Sequence, residues 1–288
     1  MGTPIHKHLA IFSGFALLLA GSSFAIAQES PSTQATKDAG EQSVTYELQR
    51  FEWSQEVKEG QKIIVKNPWG DVRVRQTGDK EAIFHAVMQK IGNKPKVAEL
   101  KSWTEGDTIH LELIYPEDQI PATPQAGRID AFVGLPYEAS LEIHSDRGKV
   151  DTKTLESALT VRAKNAGVKV KSRGHLDIST AGGDVLLTLL GPDTKSKDIA
   201  DRGRIKTLSG DIEVRYYLDQ NIEVAMTSGA SKTTNDLALL QNRRVEKRTV
   251  HMKKGEQAPK IELLSDTGNI IVNDLSSEHK VIQQQKKS

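Results

Sequence analysis

The chain has no cysteine, which excludes disulfide staples, thiolate nucleophiles, Cys-ligated zinc and a lipid-modified N-terminal cysteine in any compartment. Aromatic residues make up only 5% of its 288 residues, so any core has to be built mainly from aliphatic side chains. Neither sign of charge dominates: 39 Lys+Arg face 38 Asp+Glu for a net charge of +1, which argues against a nucleic-acid binder or a bulk trap for acidic ligands. Past the N-terminal segment no stretch approaches the ~20 consecutive apolar residues that a membrane-crossing helix needs. The nucleophile elbow GxSxG, the phosphate loop GxxxxGK[ST], the dinucleotide fingerprint GxGxxG and the zinc helix HExxH are all missing.

What is present starts with a leader. Lys7, flanked by His6 and His8, precedes an apolar run from Leu9 to Ala20, and Ala25-Ile26-Ala27 supplies a small-x-small cleavage site. Residues 1–27 therefore read as a secretory signal peptide cut after Ala27, and the mature chain is expected in a bacterial periplasm or secreted. Residues 28–43 are rich in Gln, Ser, Thr and Ala and have no bulky apolar side chain, the composition of a flexible leader. Residues 276–288 form a polar tail.

Between these ends, over 44–275, one unit recurs: alternating residues, a polar turn containing Gly, then apolar residues two apart. A period of two is the β-strand signal. Ile63 and Val65 lead into Asn67-Pro68-Trp69-Gly70, followed by Val72 and Val74. Gly148 is followed by Val150, Gly174 by Leu176 and Ile178, and Gly183 by Val185 and Leu187. Gly203, Gly210 and Gly268 are followed in the same way by Ile205, Ile212 and Ile270. Gly167 is one residue out of step, directly before Val168, and a bulge or a different turn is expected there. Such a pattern predicts an all-β protein, a β-solenoid-like stack of short strands with an aliphatic interior; the alternative is an antiparallel β-sandwich. The repeats proper occupy 127–275. Residues 44–126 read as a sheet-like N-terminal part, with longer strands at 83–88 and 108–114 and a turn of helix expected within 94–105. Ile109, Leu111 and Leu113 share one face, leaving His110 and Glu112 on the other. A solenoid exposes strand edges at its ends, so capping by 44–60 and 261–275, or oligomerisation, is expected.

The stretch Leu135-Pro136-Tyr137-Glu138-Ala139-Ser140-Leu141-Glu142-Ile143, then Ser145-Asp146-Arg147-Gly148-Lys149-Val150, and the Gly182-Gly183-Asp184-Val185 and Ser209-Gly210-Asp211-Ile212 units resemble the bacterial putative-adhesin β-strand-repeat family of unknown function. In that family a strand of this kind opens a run of Gly-Asp-Val repeats forming a β-helix-like stack. The resemblance spans roughly residues 60 to 275, is strongest between 130 and 215, and departs from the pattern at Gly167 and after Leu240. It implies an exported, envelope-associated protein, and it transfers no catalytic residue.

Chemistry has few candidates. Six His follow the signal segment (His85, His110, His144, His175, His251 and His279), with no metal-ligand spacing among them. Arg173-Gly174-His175 and Arg204-Ile205-Lys206 look like elements of pectin-cleaving β-helix hydrolases, but the paired aspartates of such sites are absent upstream. Arg243, Arg244, Lys247, Arg248, Lys253 and Lys254, diluted only by Glu246, form a candidate interaction patch for an anionic envelope polymer, a lipid headgroup or a protein. Trp53, Trp69 and Trp103 are expected to cap the ends of a narrow core, with sugar stacking as the alternative if exposed.

The sequence thus predicts a non-enzymatic, exported β-repeat protein acting as an envelope scaffold, adhesin-like or interaction module. It displays outward rows such as Arg73, Arg75, Lys169, Lys171, Glu213 and Arg215. No catalytic, cofactor-binding or metal-binding residue is assigned, and no cofactor or nucleic-acid partner is expected. The alternatives are an envelope-stress signalling accessory that binds a membrane regulator and, behind it, a polysaccharide-active β-helix enzyme.

Overall fold

The structure is a computed structural model that describes residues 46–91, 98–115, 127–191, 201–217, 221–229, 233–235, 242–246, 249–255 and 258–275. The signal segment 1–27, the leader 28–43 and the tail 276–288 lie outside them, as do Lys247 and Arg248. Twenty-one strands are described. The N-terminal ones are β1 (Tyr46–Glu56), β2 (Lys62–Lys66), β3 (Val72–Thr77), β4 (Glu81–Ile91), β5 (Glu99–Glu105), β6 (Thr108–Ile114) and β7 (Ile129–Pro136). Next come β8 (Ser140–Ser145), β9 (Lys149–Lys153), β10 (Leu159–Ala163), β11 (Gly167–Ser172), β12 (Leu176–Thr180), β13 (Val185–Leu189), β14 (Asp201–Thr207) and β15 (Ile212–Tyr216). The chain finishes with β16 (Ile222–Ser228), β17 (Thr233–Asn235), β18 (Asn242–Glu246), β19 (Thr249–Lys254), β20 (Lys260–Ser265) and β21 (Ile270–Asp274).

The strands form two mixed sheets. The first has ten strands in the order β1-β4-β7-β3-β9-β11-β13-β15-β21-β17, the second eleven in the order β18-β19-β16-β20-β14-β12-β10-β8-β2-β6-β5. From β8 to β15 the chain alternates between them, and strands two apart in sequence pair in parallel. Antiparallel pairs lie toward the ends: β1 with β4, β4 with β7, β5 with β6, and the run β16, β19, β18. One contiguous core joins both sheets, the two-layer arrangement of a sandwich.

Period-two alternation decides which side chains enter that core. In β6, Ile109, Leu111 and Leu113 are buried while His110 and Glu112 are half-exposed, as their spacing predicts. Across strands the inward residues align in register: Ile143, Val161, Ile178, Ile205 and Leu263 in the second sheet, Val72, Val150, Val168, Val185, Ile212 and Ile270 in the first. Aligned aliphatic rows fill a thin interior with few rings, which accounts for the low aromatic content.

The turn joining the second sheet to the first has its own chemistry. A buried hydroxyl lies three residues before the glycine and accepts its N–H: Thr180 from Gly183 at 3.0 Å, Thr207 from Gly210 at 2.9 Å and Ser265 from Gly268 at 2.9 Å. At Gly148, φ is +125°, and a Cβ there would stand 2.1 Å from the carbonyl oxygen of Gly70 on the neighbouring turn, so only glycine fits. Gly210 is closed off in the same way by the Gly183 carbonyl, 2.2 Å from a Cβ. One residue on, an aspartate reaches to the next turn: Asp71 accepts from the N–H of Lys149 at 2.9 Å, Asp184 from Asp211 at 2.9 Å and Asp211 from Asn269 at 2.7 Å.

Four expectations need correction. Gly167 produces no bulge: Val168 pairs with both Val150 and Val185, because Ala166 takes the glycine position and Gly167 the aspartate position. The helical turn within 94–105 is a strand over its described part, since β5 pairs along its length with β6 at the sheet edge, where pairing overrides local preference. Segment 261–275 does not form the end of either sheet: it covers the edges of β14 and β15, but β20 is itself flanked by β16 and β21 by β17. The alternation between the sheets stops after β15, and β16 to β19 pair outside the returning β20 and β21. Of the tryptophans, Trp69 is buried and Trp53 packs on the core, but Trp103 is 41% exposed on β5 and stacks on His110 with ring centroids 4.6 Å apart.

Candidate interaction surfaces

The outer face of the second sheet carries charges that neutralise one another across strands. Glu142 accepts from Lys62 and, at 2.6 Å, lies against His144. Burial alone would raise its pKa, but the hydrogen bonds from Lys62 and His144 outweigh that and hold the carboxyl below the usual range. Asp177 is held low chiefly by its hydrogen bond from Arg162, against a smaller opposing effect of burial. Arg204 meets Glu262 at 3.1 Å, Lys66 meets Glu112 at 3.6 Å and Lys253 meets Glu223 at 3.5 Å.

The two elements that look like hydrolase motifs come close together on this face. His175 precedes β12 and is exposed, its Nδ1 lying 3.1 Å from the Asp201 carbonyl oxygen. Arg204 stands in register between Asp177 and Glu262, so the two carboxylates sit two strand spacings, about 10 Å, apart at the backbone. Arg173 meets Glu156 at 3.4 Å and donates to the Gly191 carbonyl at 3.1 Å. Beside it is a residue that sequence reasoning passed over: Arg202 is 5% exposed and donates to the carbonyls of Arg173 and Leu190. Burial, and then the charge of Arg173, lowers its pKa. Its position at the start of a strand, one residue ahead of a Gly-x-Ile unit, carried no sign that it would be enclosed.

The basic stretch after Leu240 is only partly described. Arg243 and Arg244 lie on β18, the edge strand of the second sheet, and Lys253 and Lys254 on β19 beside it. Asn242 pairs with Lys253 and Arg244 with His251, so one antiparallel pair carries four of the six cations.

The first sheet differs. Arg73 and Arg75 of β3, Lys153 of β9, and Lys169 and Lys171 of β11 occupy three adjacent strands, with Arg73 opposite Asp151, Asp151 opposite Lys169, and Arg75 opposite Lys153. Farther along, Glu213 accepts from Arg215 at 2.7 Å and from Asn273 at 3.2 Å. Arg73, Arg75, Lys169 and Lys171 stand out in the sequence by their alternation; Lys149 and Lys153 do not, although both sit in the strand after Gly148.

No sequence-family model matches the chain, and no curated protein matches it. Among solved structures the chain is similar to a putative cell adhesion protein from Clostridium sporogenes, at 13% identity and a TM-score of 0.47, covering 77% of this chain and 98% of that one. It is also similar to a putative adhesin from Bacteroides fragilis, at 14% identity and a TM-score of 0.30, covering 78% of this chain and 97% of that one. At TM-scores below 0.5 neither likeness carries an argument about what this chain binds.

Proposed function

We propose that the chain is exported with cleavage after Ala27 and serves in the cell envelope as a stiff, non-enzymatic interaction module, its paired strands forming successive coils of a β-solenoid-like stack. The observation that carries this reading is the registered pairing of charge on the outer face of the second sheet, where the residues best suited to acid–base work are engaged with one another. A glycoside hydrolase needs one carboxyl kept protonated near neutral pH. Asp177 departs in the opposite direction, held ionised by Arg162, and Glu262 is bridged by Arg204. These groups stiffen the sheet; a reacting pair would have to be freed from such partners.

The test is fractionation of cells expressing the full chain, with N-terminal sequencing of the exported protein, followed by incubation with a panel of acidic and neutral polysaccharides. A mature N-terminus at Gln28 and polymers of unchanged length are expected. Polymer shortening that disappears in His175→Ala or Arg204→Ala would overturn the non-enzymatic reading and favour the polysaccharide-active one.

A further inference from the structure

Six cations gather on one patch of the first sheet: Arg73, Arg75, Lys149, Lys153, Lys169 and Lys171, on the adjacent strands β3, β9 and β11. Arg75 is half-exposed and the other five are exposed. Among the described residues none of the six side chains forms an ion pair with a carboxylate; Arg75 donates to its neighbour's carbonyl, that of Val74, at 2.7 Å. Asp151 is set among them, and Asp71, paired with Arg128, adjoins Lys149 at the edge of the patch. Arg75 and Lys153 are direct cross-strand partners, an arrangement that repels and destabilises.

Two contrasts show that this is more than an ordinary solvated face. The outer face of the second sheet pairs Lys62, Lys66, Arg162 and Arg204 with carboxylates across neighbouring strands. Along the turn at the start of these strands, the row Asp130, Asp71, Asp184 and Asp211, which accepts backbone N–H groups, is broken at Lys149 and Gly167, next to the cations, and ends in Asn269. Negative charge is thus thinned where positive charge accumulates: six cations surround Asp151, with Asp71 at the edge. Half-buried Phe132, opposite Arg73, and Leu186, opposite Lys169, border the patch on its two sides.

The geometry points to a binding site for a linear anionic polysaccharide of the uronic-acid type, lying across strands β3, β9 and β11. Across the strands Arg75 and Lys153 stand one strand spacing, ~4.8 Å, apart and Arg73 and Lys169 two, with Asp151 between them, and along a strand residues two apart are separated by ~6.7 Å. The first interval is comparable to the length of one sugar residue, so a polymer with a carboxylate on each sugar can meet Arg75 and Lys153 with successive residues and Arg73 and Lys169 with alternate ones. The bordering apolar side chains suit the faces of sugar rings, and the first sheet continues past the patch on both sides, through β7 and β13, so a long chain is not confined to it. This inference rests on reading the protein as an interaction module.

Protein purified from cells expressing the full chain is titrated with polygalacturonate, with dextran of similar length, and with vesicles containing one third phosphatidylglycerol. The expected result is binding of polygalacturonate that weakens steeply as salt is raised, with no binding of dextran. The triple variant Arg75→Gln, Lys153→Gln, Lys171→Gln is expected to bind at least ten-fold more weakly with a shallower salt dependence, while its thermal midpoint stays level or rises because like charges have been removed. The double variant Arg243→Gln, Arg244→Gln is expected to bind like the parent. Undiminished binding by the triple variant, loss in the double variant instead, or binding of vesicles without binding of polygalacturonate would each overturn the assignment. Polymer length is measured in the same samples: shortening would overturn the interaction-module reading itself, whereas intact polymer that fails to bind overturns only this site.

Discussion

At the scale of single residues, the turn between the sheets has two separable requirements, space for a backbone and a partner for an N–H. Gly148 has both a φ of +125° and a carbonyl 2.1 Å from where a Cβ would lie, whereas Gly60 has a φ of +81° and open space around it. Gly148→Ala is therefore expected to destabilise by about 2–5 kcal/mol, strain and overpacking combined, and Gly60→Ala by only about 1–2 kcal/mol, read from urea midpoints at equal slope. Thr207 tests the second requirement. Thr207→Val leaves the Gly210 N–H without its acceptor and is expected to cost about 1–3 kcal/mol, while Thr207→Ser, which reproduces the arrangement at Ser265, costs less. This hydroxyl-x-x-Gly spacing was visible in the sequence, but it gains meaning only once the hydroxyl is known to be buried.

At the scale of the strand, cohesion comes from rows that cross the sheet. Ile205 is fully buried between Ile178 and Leu263 in register, so Ile205→Ala opens a gap in that row and is expected to cost about 2–5 kcal/mol by denaturant unfolding. The outer row contributes electrostatically. Glu142 and Asp177 have pKa values below their ordinary ones, so the stability they lend is complete above the unfolded-state pKa near 4 and is lost as pH falls through the lower folded values. The thermal midpoint of the parent is expected to drop below about pH 4, and Glu142→Gln with Asp177→Asn to weaken that dependence. A steeper acid loss in this variant would contradict the pairing.

For the whole molecule the order of strands matters more than their number. β20 and β21 cover the edges of β14 and β15, although 43 residues separate Tyr216 from Lys260. A chain ending at Tyr217 would leave both of those edges unpaired, with rows of free N–H and C=O groups. It is expected to self-associate more strongly than the full chain, measured by light scattering at matched concentration. Equal association would mean that the terminal strands do not protect these edges.

The amino-acid sequence by itself determined strand formation and facing. A period of two in Val, Ile and Leu leaves little choice about which side chains enter a core, and β6 and the inward rows follow it residue by residue. It also marked most turns through glycine, and even at Gly167 the alternating Val168 and Val170 held the register that the displaced glycine obscured. Pairing was decided only in three dimensions. Nothing local distinguishes a strand that ends a sheet from one that returns to its interior, so the sequence does not show that β16 and β17 pair outside β20 and β21, or that β5 pairs with β6 where a helical turn is expected. The same holds for charge. Arg73, Arg75, Lys153, Lys169 and Lys171 are spread over nearly a hundred residues in a chain of net charge +1, and only parallel pairing of β3, β9 and β11 sums them into one field. Arg162 and Asp177 are 15 residues apart in sequence, Arg204 and Glu262 farther still, and parallel pairing within the second sheet brings each pair together and cancels it. Register converts a chain without a charge bias into two faces of different electrostatic character, because cross-strand distance, not sequence distance, sets the strength of the interaction.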